Sequence, residues 1–132
     1  MKFLNEEHEL FVKECLEKSE RKDCYHASLF YVLGLSEGCR QQIDSLYDWR
    51  TRCIKPILDN EEYGWITGTD IRLIRLAYNL FNNGAPTAFA IEDLEKKNKE
   101  LLNYLPTELF SYLESQLIEG CFEGIRIRYE LA

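Results

Sequence analysis

The sequence is poor in the features that mark membrane-spanning, metal-binding and nucleic-acid-binding proteins. It has no apolar run of about 18 residues, the length that a membrane-spanning helix needs. Two histidines and five cysteines without a CxxC pair do not give the spacing of a zinc site. Basic charge is also scarce: 16 Lys and Arg stand against 23 Asp and Glu, and a net charge of −7 disfavours phosphate backbones and anionic membranes. We therefore expect no metal, no cofactor, no nucleic-acid partner and no membrane partner.

The N-terminal residues turn acidic at Glu6 and Glu7 before any apolar run, which is not the pattern of a secretory signal. A cytoplasmic location is the expectation that follows. The cysteines are odd in number and widely spaced, so we expect buried, reduced thiols and no disulfide framework. They are Cys15, Cys24, Cys39, Cys53 and Cys121.

Only three prolines and seven glycines interrupt the chain, and between them apolar residues recur at helical spacing. The predicted helices cover residues 5–19, 23–33, 36–47, 67–82, 91–105 and 107–129. Trp49, Cys53 and Ile57 continue the helical spacing until Pro56 stops it. A strand is the alternative for residues 23–33 and for the alternating residues 125–129. The pattern predicts one compact, orthogonal all-α domain over residues 1–132, with six or seven short helices.

Two of these segments carry further expectations about packing. Gly120 and Gly124 lie one turn apart and would let another helix approach closely. The segment 91–105 is amphipathic, with a charged side that is expected to face solvent. We expect its inner side to be Ile91, Leu94, Asn98, Leu101, Leu102 and Leu105, and its outer side to be Glu92, Asp93, Glu95, Lys96, Lys97, Lys99 and Glu100.

The segment 70–82 has a single polar stripe on an otherwise apolar helix. After Asp70, its strongly polar residues are Arg72, Arg75, Asn79 and Asn82, whose offsets of three and four place them on one side. Buried arginines need partners, so one interpretation is that they pair with some of the many carboxylates. The other is an anion site at the helix N-terminus, with which the charge of Asp70 would compete. The candidate ligand-binding residues are Trp65, Thr67, Gly68, Thr69, Arg72, Arg75 and Asn79.

Several motifs resemble a domain of unknown function found in small proteins of Gram-positive bacteria and their phages. They are Phe3-Leu4-Asn5-x-x-His8, Tyr31-x-Leu33-Gly34, Arg52-Cys53-Ile54-Lys55-Pro56, Gly64-Trp65-x-Thr67-Gly68-Thr69 with Ile74-Arg75-Leu76-Ala77-Tyr78-Asn79-Leu80, and Ile125-Arg126-Ile127-Arg128-Tyr129. The resemblance implies a cellular context and no activity. Similar sequences carry a Ser-Arg pair after the Gly-Thr region, and here Asp70-Ile71-Arg72 stands instead, which weakens the anion interpretation.

No group of residues in the sequence predicts catalysis. Cys24 and His26 are neighbours in sequence, but a nucleophile also needs a positioned base and a third group that orients it. We therefore expect a non-catalytic accessory protein that acts through protein interaction or self-association, its acidic surface suiting a basic partner. The alternative is a small anionic-ligand-binding protein or enzyme with a pocket beside residues 69–82.

Overall fold

The structure is a computed structural model that describes residues 1–131. Within them lie eight α-helices, two single-turn 3₁₀ helices at 61–63 and 86–88, and one short antiparallel hairpin. The helices are α1 (Glu6–Ser19), α2 (Cys24–Leu33), α3 (Glu37–Gln41), α4 (Ile43–Leu46), α5 (Gly68–Asn82), α6 (Leu94–Leu102), α7 (Pro106–Phe110) and α8 (Ser115–Arg128), and the strands are β1 (Tyr47–Asp48) and β2 (Cys53–Ile54). The all-α class predicted from the apolar spacing is confirmed.

Helix α2 lies at the centre of the fold. Its residues 26–33 are all buried, and α1, α5 and α8 pack around it. Asp23 caps its N-terminus by accepting a hydrogen bond from the His26 amide, and Gly34 follows its last residue. An apolar run that is buried on every side has no strand or helix period of its own, which is why the strand alternative was open. In the structure this segment is a helix, and the strand alternative for residues 23–33 is wrong.

The two glycines of α8 lie where α2 and the residues just after it come closest. A Cβ added to Gly124 would be 2.3 Å from Cγ2 of Val32, and one added to Gly120 would be 2.6 Å from Cδ2 of Leu35. Any larger side chain at these positions would push the two helices apart. The expectation that this glycine pair permits a close helix approach is confirmed.

The described residues hold eight helices because two predicted helices are each divided. The segment 36–47 becomes α3 and α4, separated by Gln42 at φ −112° and ψ 26°. The segment 107–129 becomes α7 and α8, separated by residues 111–114. The strand alternative for residues 125–129 is wrong, since α8 continues to Arg128.

The helical continuation predicted for Trp49, Cys53 and Ile57 is also wrong, because residues 47–54 form the hairpin. The Asp48 carboxylate accepts hydrogen bonds from the amides of Arg50 at 2.9 Å and Thr51 at 3.2 Å, which turns the chain. Arg52 completes the turn at φ 58°, and its Nε donates to Ser19 O at 2.9 Å. Here the hydrogen bonds from a side chain to the nearby backbone favour a turn over a helix. The spacing of apolar residues does not predict such a turn.

All five cysteines are free thiols. Cys15, Cys39 and Cys121 are buried, and burial raises the pKa of each to about 12, so these thiols stay protonated and unreactive. The expectation of burial is wrong for Cys53, which is exposed on β2, and it holds only in part for Cys24, which is half-buried.

Candidate functional site

The N-terminus of α5, the predicted anion site, is occupied by the chain's own carboxylate. Asp70 is buried, and its Oδ2 accepts from the Thr67 amide at 2.9 Å while Thr67 Oγ1 accepts from the Asp70 amide at 3.2 Å. The hydroxyl of Ser36 donates to the other carboxylate oxygen. This reciprocal capping stabilises the helix start and places a negative charge where an anion would bind. The geometry therefore gives an anion at this end little support.

Arg72 bonds to backbone carbonyls. Its Nη1 donates to Gly68 O at 2.7 Å and its Nε donates to Glu108 O at 3.1 Å, which joins α5 to α7. The guanidinium also lies 4.9 Å from the ring centre of Tyr112. Arg72 thus closes the first turn of its own helix and holds a neighbouring one.

Arg75, one turn further along α5, forms an ion pair with Glu100 of α6. Its Nη2 and Nε donate to Glu100 Oε1 at 2.6 and 3.1 Å, and the two side chains are only 16% and 12% exposed. Thr87 Oγ1 donates to Glu100 Oε2 at 2.9 Å, and Asn103 Nδ2 donates to Oε1 at 3.2 Å. Tyr104 joins through its hydroxyl, which bonds to Thr87. We refer to these five residues as the Arg75–Glu100 network.

The remaining predicted site residues do not converge with these. Asn79 donates to Gly84 O at the far end of α5. Trp65, Thr67 and Thr69 line a shallow depression of about 670 Å³ beside α3, and the Trp65 indole nitrogen is buried there without a hydrogen-bond partner among residues 1–131. Arg75 instead lines a second depression of about 670 Å³ with Glu100. The predicted stripe is thus split among separate parts of the fold.

The side of helix α6 that faces the protein body is not the side predicted from its apolar residues. None of its nine residues is buried, and the two that are half-buried are both charged: Lys97 and Glu100, whose carboxylate turns towards the protein body. The leucines predicted to face inward are exposed: Leu94 by 71%, Leu101 by 42%, Leu102 by 59% and Leu105, just beyond the helix, by 50%. We call these four residues the leucine face. A helical period shows that a helix has an apolar side, but the side turned inward is set here by a pairing with Arg75 on a distant segment.

The neighbourhood of His26 contains an Asp–His–Tyr arrangement without the access that catalysis requires. His26 Nδ1 lies 3.0 Å from Asp23 Oδ2, and Nε2 lies 2.9 Å from the Tyr47 hydroxyl. Tyr47 is fully buried, and burial raises its pKa to about 12, so its hydroxyl stays protonated and no substrate reaches it. The thiol of Cys24 is not part of this chain of hydrogen bonds. The arrangement fixes α2 against the hairpin.

Two kinds of feature are absent from the described part of the chain. Residues 1–131 contain no group of three or more His, Cys, Asp or Glu side chains placed to hold a metal ion. Over the same residues, each helix is too short or too polar to cross a bilayer.

These residues define a mostly helical domain whose conspicuous polar side chains are largely engaged in its own fold. The chain belongs to DUF6075, a family of unknown function, which it matches over residues 1–131. No curated protein and no solved structure matches it significantly. The membership confirms a domain of unknown function and assigns no activity.

The motif around His8 has a structural role, which is to hold the N-terminal segment against α2. The His8 side chain is fully buried, its Nδ1 accepts from the Leu4 amide at 3.0 Å, and its Nε2 donates to Tyr31 O at 2.8 Å. Gly34 leaves room for the ring, since an added Cβ would lie 2.8 Å from it. The first two motifs of the resemblance therefore meet and fasten the N-terminal segment to α2.

The last motif has a similar role at the other end of the chain. Arg128 is buried, with its guanidinium 3.9 Å from the ring centre of Tyr25. Its Nε donates to Leu80 O and its Nη2 to Asn83 Oδ1, both at 2.8 Å. Arg128 thereby joins α8 to the C-terminal end of α5.

Proposed function

We propose that this protein is a non-catalytic interaction module that binds another protein through the leucine face of α6. The observation that carries the proposal is the orientation of α6, which attaches to the domain through Glu100 and turns Leu94, Leu101 and Leu102 to solvent. Single exposed leucines are ordinary, whereas several on one side of a helix are typical of a surface that a partner covers. Proteins with a hydrophobic groove bind such a helix through apolar residues that are three, four and seven positions apart.

The polar attachment explains why α6 keeps this orientation. The Arg75–Glu100 ion pair is nearly buried and bonded to Thr87 and Asn103, so rotating α6 to bury its leucines would leave a charged guanidinium without its carboxylate. Removing one partner of such a pair costs several kcal/mol, typically ~3–5. The exposed leucines are therefore a stable feature of the free domain.

The leucine face sets the scale of the affinity. Burying a leucine side chain fully contributes about 1.5–3 kcal/mol, and the four leucines of the face are 42–71% exposed, so covering them contributes roughly 3–6 kcal/mol. Association itself costs about 4–15 kcal/mol, so further contacts from the partner are needed. We expect weak, reversible binding, which suits an accessory role in the cytoplasm of a bacterium or a phage-infected cell.

The alternative, an anionic-ligand site beside α5, has less support from the geometry. Asp70 fills the helix N-terminus, Glu100 neutralises Arg75, and Arg72 bonds to two backbone carbonyls, so each cationic element that the alternative needs already has a partner within the chain. Its candidate residues also line two separate depressions.

The proposal is tested by affinity capture from the native host with three baits. Leu102→Glu introduces a charge into the leucine face, and Leu10→Glu introduces the same charge at a leucine of equal exposure on α1, 58% against 59%. We expect at least one protein, identified by mass spectrometry, to bind the wild type and the Leu10→Glu bait and to be lost from the Leu102→Glu bait. Identical captures by all three baits, from a chain that also does not self-associate through α6, would refute the proposal.

A further inference from the structure

A second feature of α6, the position of Asn98, bears on what could cover the leucine face. Asn98 lies four residues after Leu94 and three and four residues before Leu101 and Leu102, so it occupies the middle of the face and is itself exposed. A lone amide inside an apolar helix contact is tolerated when it bonds to another amide, and it then fixes register and partner. A second copy of α6 carries its own Asn98, and it therefore offers a side-chain amide at the position where the first Asn98 needs one.

The charges beside the face fit such a copy in one orientation. Glu95 and Lys99 lie one turn apart on the same flank, with their side chains paired at 3.7 Å. When two α6 helices pack antiparallel about Asn98, equal flanks face each other and Glu95 of one copy approaches Lys99 of the other. A parallel pair would instead place the acidic starts of both helices, at Glu92 and Asp93, side by side.

Local charge also favours self-contact at α6 over the rest of the surface. The chain carries −7 overall, so two copies repel each other across most of their area. On α6 and the residues just before it, the exposed carboxylates of Glu92, Asp93 and Glu95 are balanced by three lysines, and Glu100 is neutralised by Arg75. Repulsion between copies is therefore reduced at the leucine face.

We propose that the occupant of the leucine face is a second copy of this chain, in an isologous dimer with antiparallel α6 helices that cross at Asn98. This inference rests on the proposed function and names its partner. In the dimer, Leu94 of one copy packs against Leu101 and Leu102 of the other, and the two Asn98 amides exchange hydrogen bonds on the twofold axis. The contact is small for a permanent dimer, so we expect a reversible equilibrium between monomer and dimer that shifts with concentration.

The first test measures self-association of the full chain by sedimentation velocity over a series of concentrations from low micromolar to several hundred micromolar. We expect wild-type chain and Leu10→Glu to shift from monomer to dimer, and Leu102→Glu to require at least a tenfold higher concentration. Circular dichroism verifies that each variant keeps its helix content. A wild type that remains monomeric throughout, or a dimer that Leu102→Glu leaves unchanged, overturns the inference.

The second test examines the crossing point in a Cys53→Ser background, which removes the exposed native thiol. Under mild oxidation we expect Asn98→Cys to form a disulfide-linked dimer, and Lys96→Cys, on the opposite side of α6, to remain monomeric. Equal cross-linking of the two variants overturns the antiparallel arrangement about Asn98.

The two proposals fail in distinguishable ways. A monomeric chain whose captured proteins are still lost with Leu102→Glu refutes self-pairing and leaves the interaction module standing. A monomeric chain with no such proteins refutes both.

Discussion

The Arg75–Glu100 ion pair gives the sharpest test of how α6 is held. Replacing Arg75 by Met keeps the aliphatic stem and removes the charge, which leaves the Glu100 carboxylate 12% exposed with only Thr87 and Asn103 as donors. Removing one member of a buried pair typically costs ~3–5 kcal/mol. Because Glu100 keeps two donors and slight access to water, we expect Arg75→Met to lower the free energy of unfolding by about 2–3 kcal/mol. For a domain of this size that corresponds to roughly 6–15 °C in Tm.

Arg72 provides the matched control on the same helix. Its guanidinium bonds to two carbonyls and to no carboxylate, so Arg72→Met leaves no charge unpaired and should cost no more than about 1 kcal/mol. Urea unfolding followed by circular dichroism measures both variants. Hydrogen exchange should further show that residues 94–102 lose protection in Arg75→Met and keep it in Arg72→Met. In the Arg75→Met/Glu100→Met double variant, part of the lost stability should return because no charge remains unpaired.

Two outcomes would refute this account of α5. Equal, small losses in Arg72→Met and Arg75→Met would show that the pair does not hold α6. A phosphate-specific rise in the Tm of the wild type that Arg72→Ala abolishes would show an anion site at the helix start, although Asp70 caps it. We expect phosphate and chloride of equal ionic strength to give the same Tm.

Two further changes probe the packing around α2. Burial lowers the pKa of His8 from its usual 6.5, so the unfolded chain binds the proton more readily than the folded chain. The free energy of unfolding is therefore highest above pH 6.5 and falls as the pH drops through the lower pKa of the folded state. Protonation there also breaks the hydrogen bond from the Leu4 amide to Nδ1. Urea unfolding at a series of pH values should show this slope in the wild type and a smaller one in His8→Gln, and equal slopes would contradict it. At the α2–α8 contact, Gly124→Ala places a Cβ 2.3 Å from Val32. We expect it to lower the free energy of unfolding by about 1–2 kcal/mol, although alanine has the better helix propensity. A Tm at or above that of the wild type would show that the helices can separate freely.

Local signals in the sequence located α5 well. The apolar period ends at Gly84 and Pro86, and Thr67 with Asp70 forms a capping box that the residue types already suggest. The segment 47–54 offered no comparable signal, because its turn depends on the Asp48 side chain and on a non-glycine residue at positive φ. The spacing of apolar residues contains no sign of the side-chain contact or of the positive φ.

The orientation of α6 could not be predicted, for a different reason. The apolar side of the segment 91–105 was identified correctly, and its direction followed from the rule that apolar sides face inward. That rule fails where a strong polar contact holds the other side, and the partner of Glu100 lies 25 residues earlier at Arg75. The same long-range pairing also separated Arg75 from Arg72, which share a stripe in sequence but not a partner.

The central position of α2 has a consequence for the order in which the chain becomes protected during synthesis. α2 leaves the ribosome well before α8, which covers one of its sides. Contacts between segments so far apart in the chain form late, because the long intervening loop must first close. We therefore expect the nascent chain to leave one side of the apolar α2 uncovered until α8 is translated, and to depend on chaperones during that interval.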